Sequence, residues 1–255
     1  ERLSSNEDVV VYRDTSLNTN FILFRCDHAP FDNQLLRQAV AYAVDIPTAI
    51  ETAYKGTGVV ATGWCSPSIS GYADIGVYEQ DLDKARELMA EAGYPDGFSC
   101  TLYTDTTAER RDLAEILQNQ LGEIGIDCKV ESMEPVAYQG MYARGEHDFM
   151  LYGLTITTAE GDKAFRWWHS ENTMGQQFDA WSDPEYDALL DEAAATIDED
   201  ARNELYRQAQ EMLKEACVVI PTVHREILSA ASASLMGFEN DLGYESPLLK
   251  NCYFA

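Results

Sequence analysis

The stretch Lys84–Thr104, KARELMAEAGYPDGFSCTLYT, reads in order as a helix, a glycine stop, a turn and a strand. Ala85, Leu88, Met89 and Ala92 recur at i, i+3, i+4 and i+7, which places one apolar face on a short helix. Gly93 ends that helix because glycine adopts the left-handed conformation of a helix C-terminus without strain, and Pro95 cannot continue it. Asp96-Gly97 supplies a turn. From Phe98 the period becomes two: Phe98, Cys100 and Leu102 point one way, and Ser99, Thr101 and Tyr103 the other.

The same alternation of elements extends on both sides. A strand at Phe21 to Phe24 leads to a helix from about Asn33 to Val44, buried through Leu36, Val40, Ala43 and Val44, with Asp32 expected as its N-cap. A second helix runs from Pro47 to Tyr54 and stops at Gly56; Gly58 to Tyr78 reads as a long loop. Downstream, a helix over Ala108 to Glu123 feeds a strand with Ile126, Cys128 and Val130 inward. A helix from Pro135 to about Ala143 precedes a strand at Phe149 to Tyr152, which Gly153 is expected to stop. Two long helices follow, through Tyr186, Leu190 and Ala193 and through Leu205, Ala209 and Leu213, and then a buried strand at Cys217 to Val223 interrupted by Pro221. The pattern predicts a layered α/β (α+β) fold, a mixed sheet with packed helices. No internal repeat or linker divides it, so one compact domain is the simplest organisation. Val9 to Val11 and Leu228 to Ala255 are left without an assigned place.

With 255 residues, 45% hydrophobic and 11% aromatic, the chain can build a sizeable core and is not a disordered polymer. A net charge of −26 opposes sequence-independent nucleic-acid binding and docking on anionic lipid, both of which need a basic face. No run approaches the roughly 18 apolar residues of a transmembrane helix. The first residue is Glu1, not Met, so a processed or excised chain is expected.

No nucleophile elbow, HExxH or phosphate loop is present, and His28, His147, His169 and His224 are never paired at ligand spacing. The four histidines are expected at the surface or at element ends. No catalytic residue, metal site or cofactor is assigned. Six cysteines are scattered without a CxxC: Cys100, Cys128 and Cys217 occupy apolar strand positions as buried thiols, whereas Cys26, Cys65 and Cys252 lie near element ends and are candidates for bridging. Glu109, Arg110 and Arg111 read as a solvated, charged helix start. Of the adjacent Trp167 and Trp168, one is expected to pack inside.

The loop TITTAEGD after the Phe149 strand is the best local site, because open α/β sheets bind ligands beyond the carboxyl ends of their strands. It offers Thr155, Thr157, Thr158 and Glu160; Asp162 is expected to cap a short helix through Phe165 and Trp168.

Several motifs occur together in one order: DHAPFDNQLLRQAVAYAVD (Asp27–Asp45), AEAGYPDGF, LQNQLGEIGIDCKVE, GEHDF, WSDPEYDALLDEA and ARNELYRQAQEML. From about Ser16 onward the chain resembles the C-terminal lobe of extracellular solute-binding proteins that serve ABC importers, in the oligopeptide, dipeptide and nickel-binding family. The resemblance implies one lobe of a type II periplasmic-binding-protein-like receptor, non-enzymatic, that closes over peptides or peptide-like solutes. It implies as partners an ABC permease and an N-terminal lobe that is not present here, with an extracellular or periplasmic location and a lipoprotein-type membrane anchor through that absent part. It divides the chain into a lobe at 1–227 and a tail at 228–255 that returns to the other lobe. It also brings the strand end at Tyr103 and Thr104 towards the cleft. Peptide binders of this family carry an aspartate for the ligand amine four residues beyond the glycine; here that position is Thr157, Leu154 replaces a tryptophan, and Glu160 matches an acidic position. These departures keep open a non-peptide solute such as a metal chelate or opine, or a sensor or chaperone on the same fold.

Overall fold

The computed structural model describes residues 5–254, so the outermost ends of the expected 1–227 and 228–255 segments lie outside the described residues. The central sheet is built by β1 (Val9–Phe24), β2 (Gly58–Val60), β3 (Ser99–Asp105), β4 (Asp127–Met133), β5 (Phe149–Thr155) and β6 (Val219–Ser232), in the order β2-β6-β1-β5-β3-β4. β3 is parallel to β4 and β5, whereas β1 runs antiparallel to β5 and β6, giving a mixed sheet.

Strand alternation divides the sheet into two apolar faces. Ile22, Phe24, Leu102, Phe149 and Leu151 meet α1 (Gln34–Ala43), α2 (Ile46–Tyr54), α3 (Leu82–Glu91) and α4 (Ala108–Gly122) through Leu36, Val40, Ile50, Leu88, Leu113 and Leu117. On the opposite face, Phe21, Leu23, Met150 and Val219 are covered by α5 (Pro135–Ala143), α6 (Gly161–Phe165), the single turn Arg166–Trp168, α7 (Thr173–Phe178), α8 (Pro184–Ala195) and α9 (Glu199–Ala216). Trp168, Tyr186 and Phe165 are fully buried there, and burying each such side chain contributes about 1.5–3 kcal/mol. Trp168 is the inward member of its tryptophan pair and Trp167 is half-buried.

The helix–turn–strand unit follows its sequence closely. The Asp81 carboxylate accepts from Lys84 N at 2.9 Å and starts α3; Tyr94 N donates to Met89 O at 2.8 Å across Gly93, whose φ is +89°. Gly97, at φ +88°, lies back to back with Gly125, and a Cβ on Gly97 would collide with the Gly125 carbonyl. The two glycines therefore let the loops entering β3 and β4 pack together.

Other expectations are corrected. Asn33, not Asp32, caps α1, its side chain accepting from Leu35 N at 2.9 Å. The Gly58–Tyr78 loop contains the short β2. β5 does not stop at Gly153 but continues to Thr155. Asp162 lies inside the first turn of α6 and pairs with Arg166 at 2.9 Å; Glu160 occupies the cap position without a side-chain capping bond. His147, His169 and His224 are interior rather than superficial, at 0%, 5% and 1% exposure. Among the described residues all six cysteines are free, so Cys26, Cys65 and Cys252 form no bridge.

The unassigned ends find places beside each other. Val9–Thr15 of β1 pair with Glu226–Ser232 of β6 as a two-stranded ribbon that extends beyond the other strands. β6 therefore runs unbroken through position 228. The remaining tail folds into small ladders, β7 (Leu235–Met236) with β10 (Tyr253–Phe254) and β8 (Glu239–Asp241) with β9 (Ser246–Leu248). The Tyr12 and Phe238 rings meet at a tilt with centroids 4.5 Å apart, and Asn240 donates to Asp14 at 2.8 Å, which fastens the tail to the ribbon. Among the described residues no helix is long and apolar enough to cross a membrane.

Candidate functional site

The carboxyl ends of β3, β5 and β6 lie at one end of the sheet, where a cleft of about 500 Å³ opens. Asn20, Asp105, Glu109, Arg110, Arg225 and Glu226 supply most of its polar lining, joined by Tyr54 and Thr57 from the end of α2. This is the place where the strand ends of an α/β sheet leave unpaired polar groups and converging loops.

Arg110 is the organising side chain. Its Nη1 donates to the Asp105 carboxylate, while Nε and Nη2 donate to Asn20 Oδ1 at 2.9 and 2.6 Å. Asn20 Nδ2 in turn donates to Asn18 Oδ1 at 2.8 Å, and Asn18 Nδ2 to Thr155 Oγ1 at 2.7 Å. The chain of bonds crosses β1 and joins α4 to the end of β5. Asp105 also accepts from Thr107 N at 3.0 Å, so the residue that fixes Arg110 also turns the chain into α4. Gly153 explains itself here: a Cβ would overlap the Arg110 guanidinium and come within 2.7 Å of Asn20 Oδ1. The glycine makes room for a cation laid across the sheet.

With Arg110 neutralised by Asp105, the remaining charges are partly paired at the cleft's border. Arg225 bonds Glu245 at 3.0 Å, and Glu226 faces Arg13 at 3.5 Å. Burial raises the Tyr54 phenol, with Arg110 and Arg225 opposing that rise, so this hydroxyl stays a neutral donor. The surface thus offers donors, acceptors and both signs of charge.

The six residues expected from sequence do not form one patch. Thr155 joins the bonded network. Thr104 shares the face of Leu102 but is fully buried, and its hydroxyl has no partner among the described residues. Tyr103 is half-buried and packs against the second core, on the sheet face opposite Leu102. Thr157 is exposed, and Gly243 packs close to its carbonyl; Thr158 is half-buried with an unpartnered, buried hydroxyl. Glu160 pairs with Lys163 at 3.2 Å and borders a different hollow, with Arg202 and Tyr206.

Asn18, Asn20, Asp105 and Arg225 were not singled out by sequence, and Arg110 was read only as part of a solvated helix start. Arg110 in particular is not solvated surface: its side chain is 15% exposed. The available signal was two asparagines in SLNTNF at alternate positions, on the same face as Ile22 and Phe24. Polar residues on a core-facing period need partners, and Arg110 is that partner.

The sequence signature of Bacterial extracellular solute-binding proteins, family 5 Middle, matches residues 1–176. The chain belongs to the family 5 bacterial extracellular solute-binding proteins. Among similar proteins, the dipeptide-binding protein of Pseudomonas aeruginosa is 31% identical over 246 residues, covering 93% of this chain and 45% of that protein. HbpA2 from Haemophilus parasuis superposes with a TM-score of 0.89 at 26% identity, over 100% of this chain and 51% of that one. The dipeptide-binding protein of Pseudoalteromonas sp. SM9913, solved with Met-Leu, gives 0.85 at 27%, over 100% and 52%. This solute-binding chain thus spans about half the length of the relatives it matches, and its mixed α/β architecture is that of periplasmic-binding-protein-like receptors.

Proposed function

We propose that this solute-binding chain is the ligand-binding C-terminal lobe of a receptor that captures peptides or peptide-like solutes for an ABC importer, without catalysing a reaction on them. The observation that carries this reading is the sheet-end cleft, in which a fixed Arg110 network, Tyr54, Arg225 and carboxylates offer partners for both ends of a zwitterion. Likeness to dipeptide-binding proteins over nearly the whole chain supports the same class. Thr155 contributes through Asn18, and Thr157, exposed beyond β5, is available to a ligand that extends past the strand end; Glu160 serves the separate hollow beside Arg202 and Tyr206.

In this reading the lobe comprises 1–227, and the tail from 228 to 255 associates with a second lobe whose closure completes the site. The receptor works outside the cytoplasmic membrane, tethered to it, and delivers solute to a permease. Half a cleft binds weakly because half of the enclosing surface is supplied elsewhere.

The test is a thermal-shift screen of the full-length polypeptide containing this chain against dipeptides, tripeptides, opines and metal chelates. A dipeptide at a hundredfold excess over its Kd stabilises by about 2.7 kcal/mol and raises the melting temperature. The peptide reading fails when no peptide shifts the transition and a chelate or opine does.

A further inference from the structure

Cys100 and Cys128 are in direct register on the neighbouring parallel strands β3 and β4. Registered residues of parallel strands project to the same face, and both thiols enter the first core, at 6% and 4% exposure. Neighbouring strands lie about 4.8 Å apart, within the roughly 4.4–6.8 Å Cα separation that a disulfide spans. We propose that Cys100 and Cys128 form a redox pair, closed into a cross-strand disulfide by a low-molecular-weight disulfide such as oxidised glutathione.

The two thiols are chemically unequal. Contact between the side chains pushes the Cys100 thiol up and the Cys128 thiol down, so Cys100 holds its proton and Cys128 is the readier nucleophile. The other buried thiols lack this arrangement: burial pushes Cys26, Cys65 and Cys217 each up to about 12. Access is provided by topology, since β4 is the edge strand of the sheet and can lift from β3 without breaking the interior ladders.

The reaction balances in two steps. The Cys128 thiolate attacks one sulfur of oxidised glutathione; that S–S bond breaks, one glutathione thiolate leaves and takes up a proton, and a mixed disulfide remains. Cys100 then releases its proton and attacks the Cys128 sulfur, expelling the second glutathione. The protein is oxidised by two electrons and one glutathione disulfide is reduced to two thiols. The staple closes the β3–α4–β4 unit that carries Asp105 and Arg110 to the cleft.

The experiment incubates the native full chain with excess oxidised glutathione, quenches with acid, alkylates in denaturant and maps peptides by mass spectrometry. The expected result is a Cys100–Cys128 linked peptide and a thiol titre that falls by two from six. In Cys100→Ser the first step proceeds but the second is lost, and Cys128 accumulates as a mixed disulfide with glutathione. Six intact thiols, or a bridge such as Cys26–Cys217 in place of Cys100–Cys128, overturns the proposal. If Cys100→Ser fails to fold, the wild-type map decides alone.

Discussion

Gly153 shows how a single missing side chain builds a site. Its position on β5 is covered by the Arg110 guanidinium, which is held at the same time by Asp105 and Asn20. Gly153→Ala is expected to eject that guanidinium and strand the Asp105 carboxylate and Asn20 amide. Hydrogen bonds to a charged group contribute about 1.5–3 kcal/mol each, so a loss of about 2 kcal/mol or more is expected in urea unfolding. The Arg110 Nε–H, bonded to Asn20 Oδ1 at 2.9 Å, is expected to exchange slowly in the wild type and rapidly in the variant. Unchanged protection in a stable G153A protein would show that the guanidinium is not seated as described. A carbonyl-rich core position is handled similarly at Arg37, buried at the end of α9, where Nε and Nη2 donate to Ala216 O and Nη1 to Phe31 O. A cation on the last carbonyls of a helix answers both their lone pairs and the negative end of the dipole.

At the scale of elements, α3, Gly93 and β3 were legible because local chemistry and tertiary packing agree there. The Gly97–Gly125 contact was not, since it joins two loops 28 residues apart. Gly97→Ala combines a left-handed backbone with a collision against backbone, and a destabilisation of at least about 2 kcal/mol is expected, read as a lower urea midpoint at unchanged slope. A midpoint equal to wild type would mean that the loops separate at no cost. The ends of β1 and β6 were illegible for a related reason. Apart from the buried Ile227, their residues are exposed or half-buried without a common regular period, so the ladder is specified by backbone pairing and by the tail fastened to it, neither of which leaves an apolar period. The site suffered most: its residues are distributed over β1, β3, α4 and β6, and only the loop after β5 carries a local signature.

Across the whole molecule, buried titratable groups set how stability follows pH. Burial lowers His147 and His224 to about 4 from an ordinary 6.5, although His147 Nε2–H donates to Phe178 O at 2.6 Å. Both stay neutral when folded, so the unfolded chain takes up their protons first, and stability is lost as pH falls from about 6.5 to 4. Asp179 acts in the opposite sense. Burial raises its carboxyl from 3.8 to about 7, against a bond from Trp181 N and the nearby Arg25, so its contribution is present below 3.8 and is lost as pH rises through 7. Between pH 4.5 and 6.5 two histidines favour higher pH and one carboxyl opposes them. Asp179→Asn removes the opposition, and its stability should rise across that interval more steeply than wild type by up to one proton, about 1.4 kcal/mol per pH unit. Equal slopes from urea titrations at pH 4.5, 5.5 and 6.5 would remove Asp179 from this role.

The ribbon of Val9–Thr15 and Glu226–Ser232 has a mechanical meaning besides its pairing. Seven residues of strand reach about 24 Å at 3.4 Å each, so the ribbon is a long arm rooted beside the cleft. A rotation of 10° at its root moves the far tip by about 4 Å over that reach. Fastened on one side to the ladder of β8 and β9, the arm is a lever: any body carried at its tip would be re-aimed by small adjustments around Arg225 and Glu226.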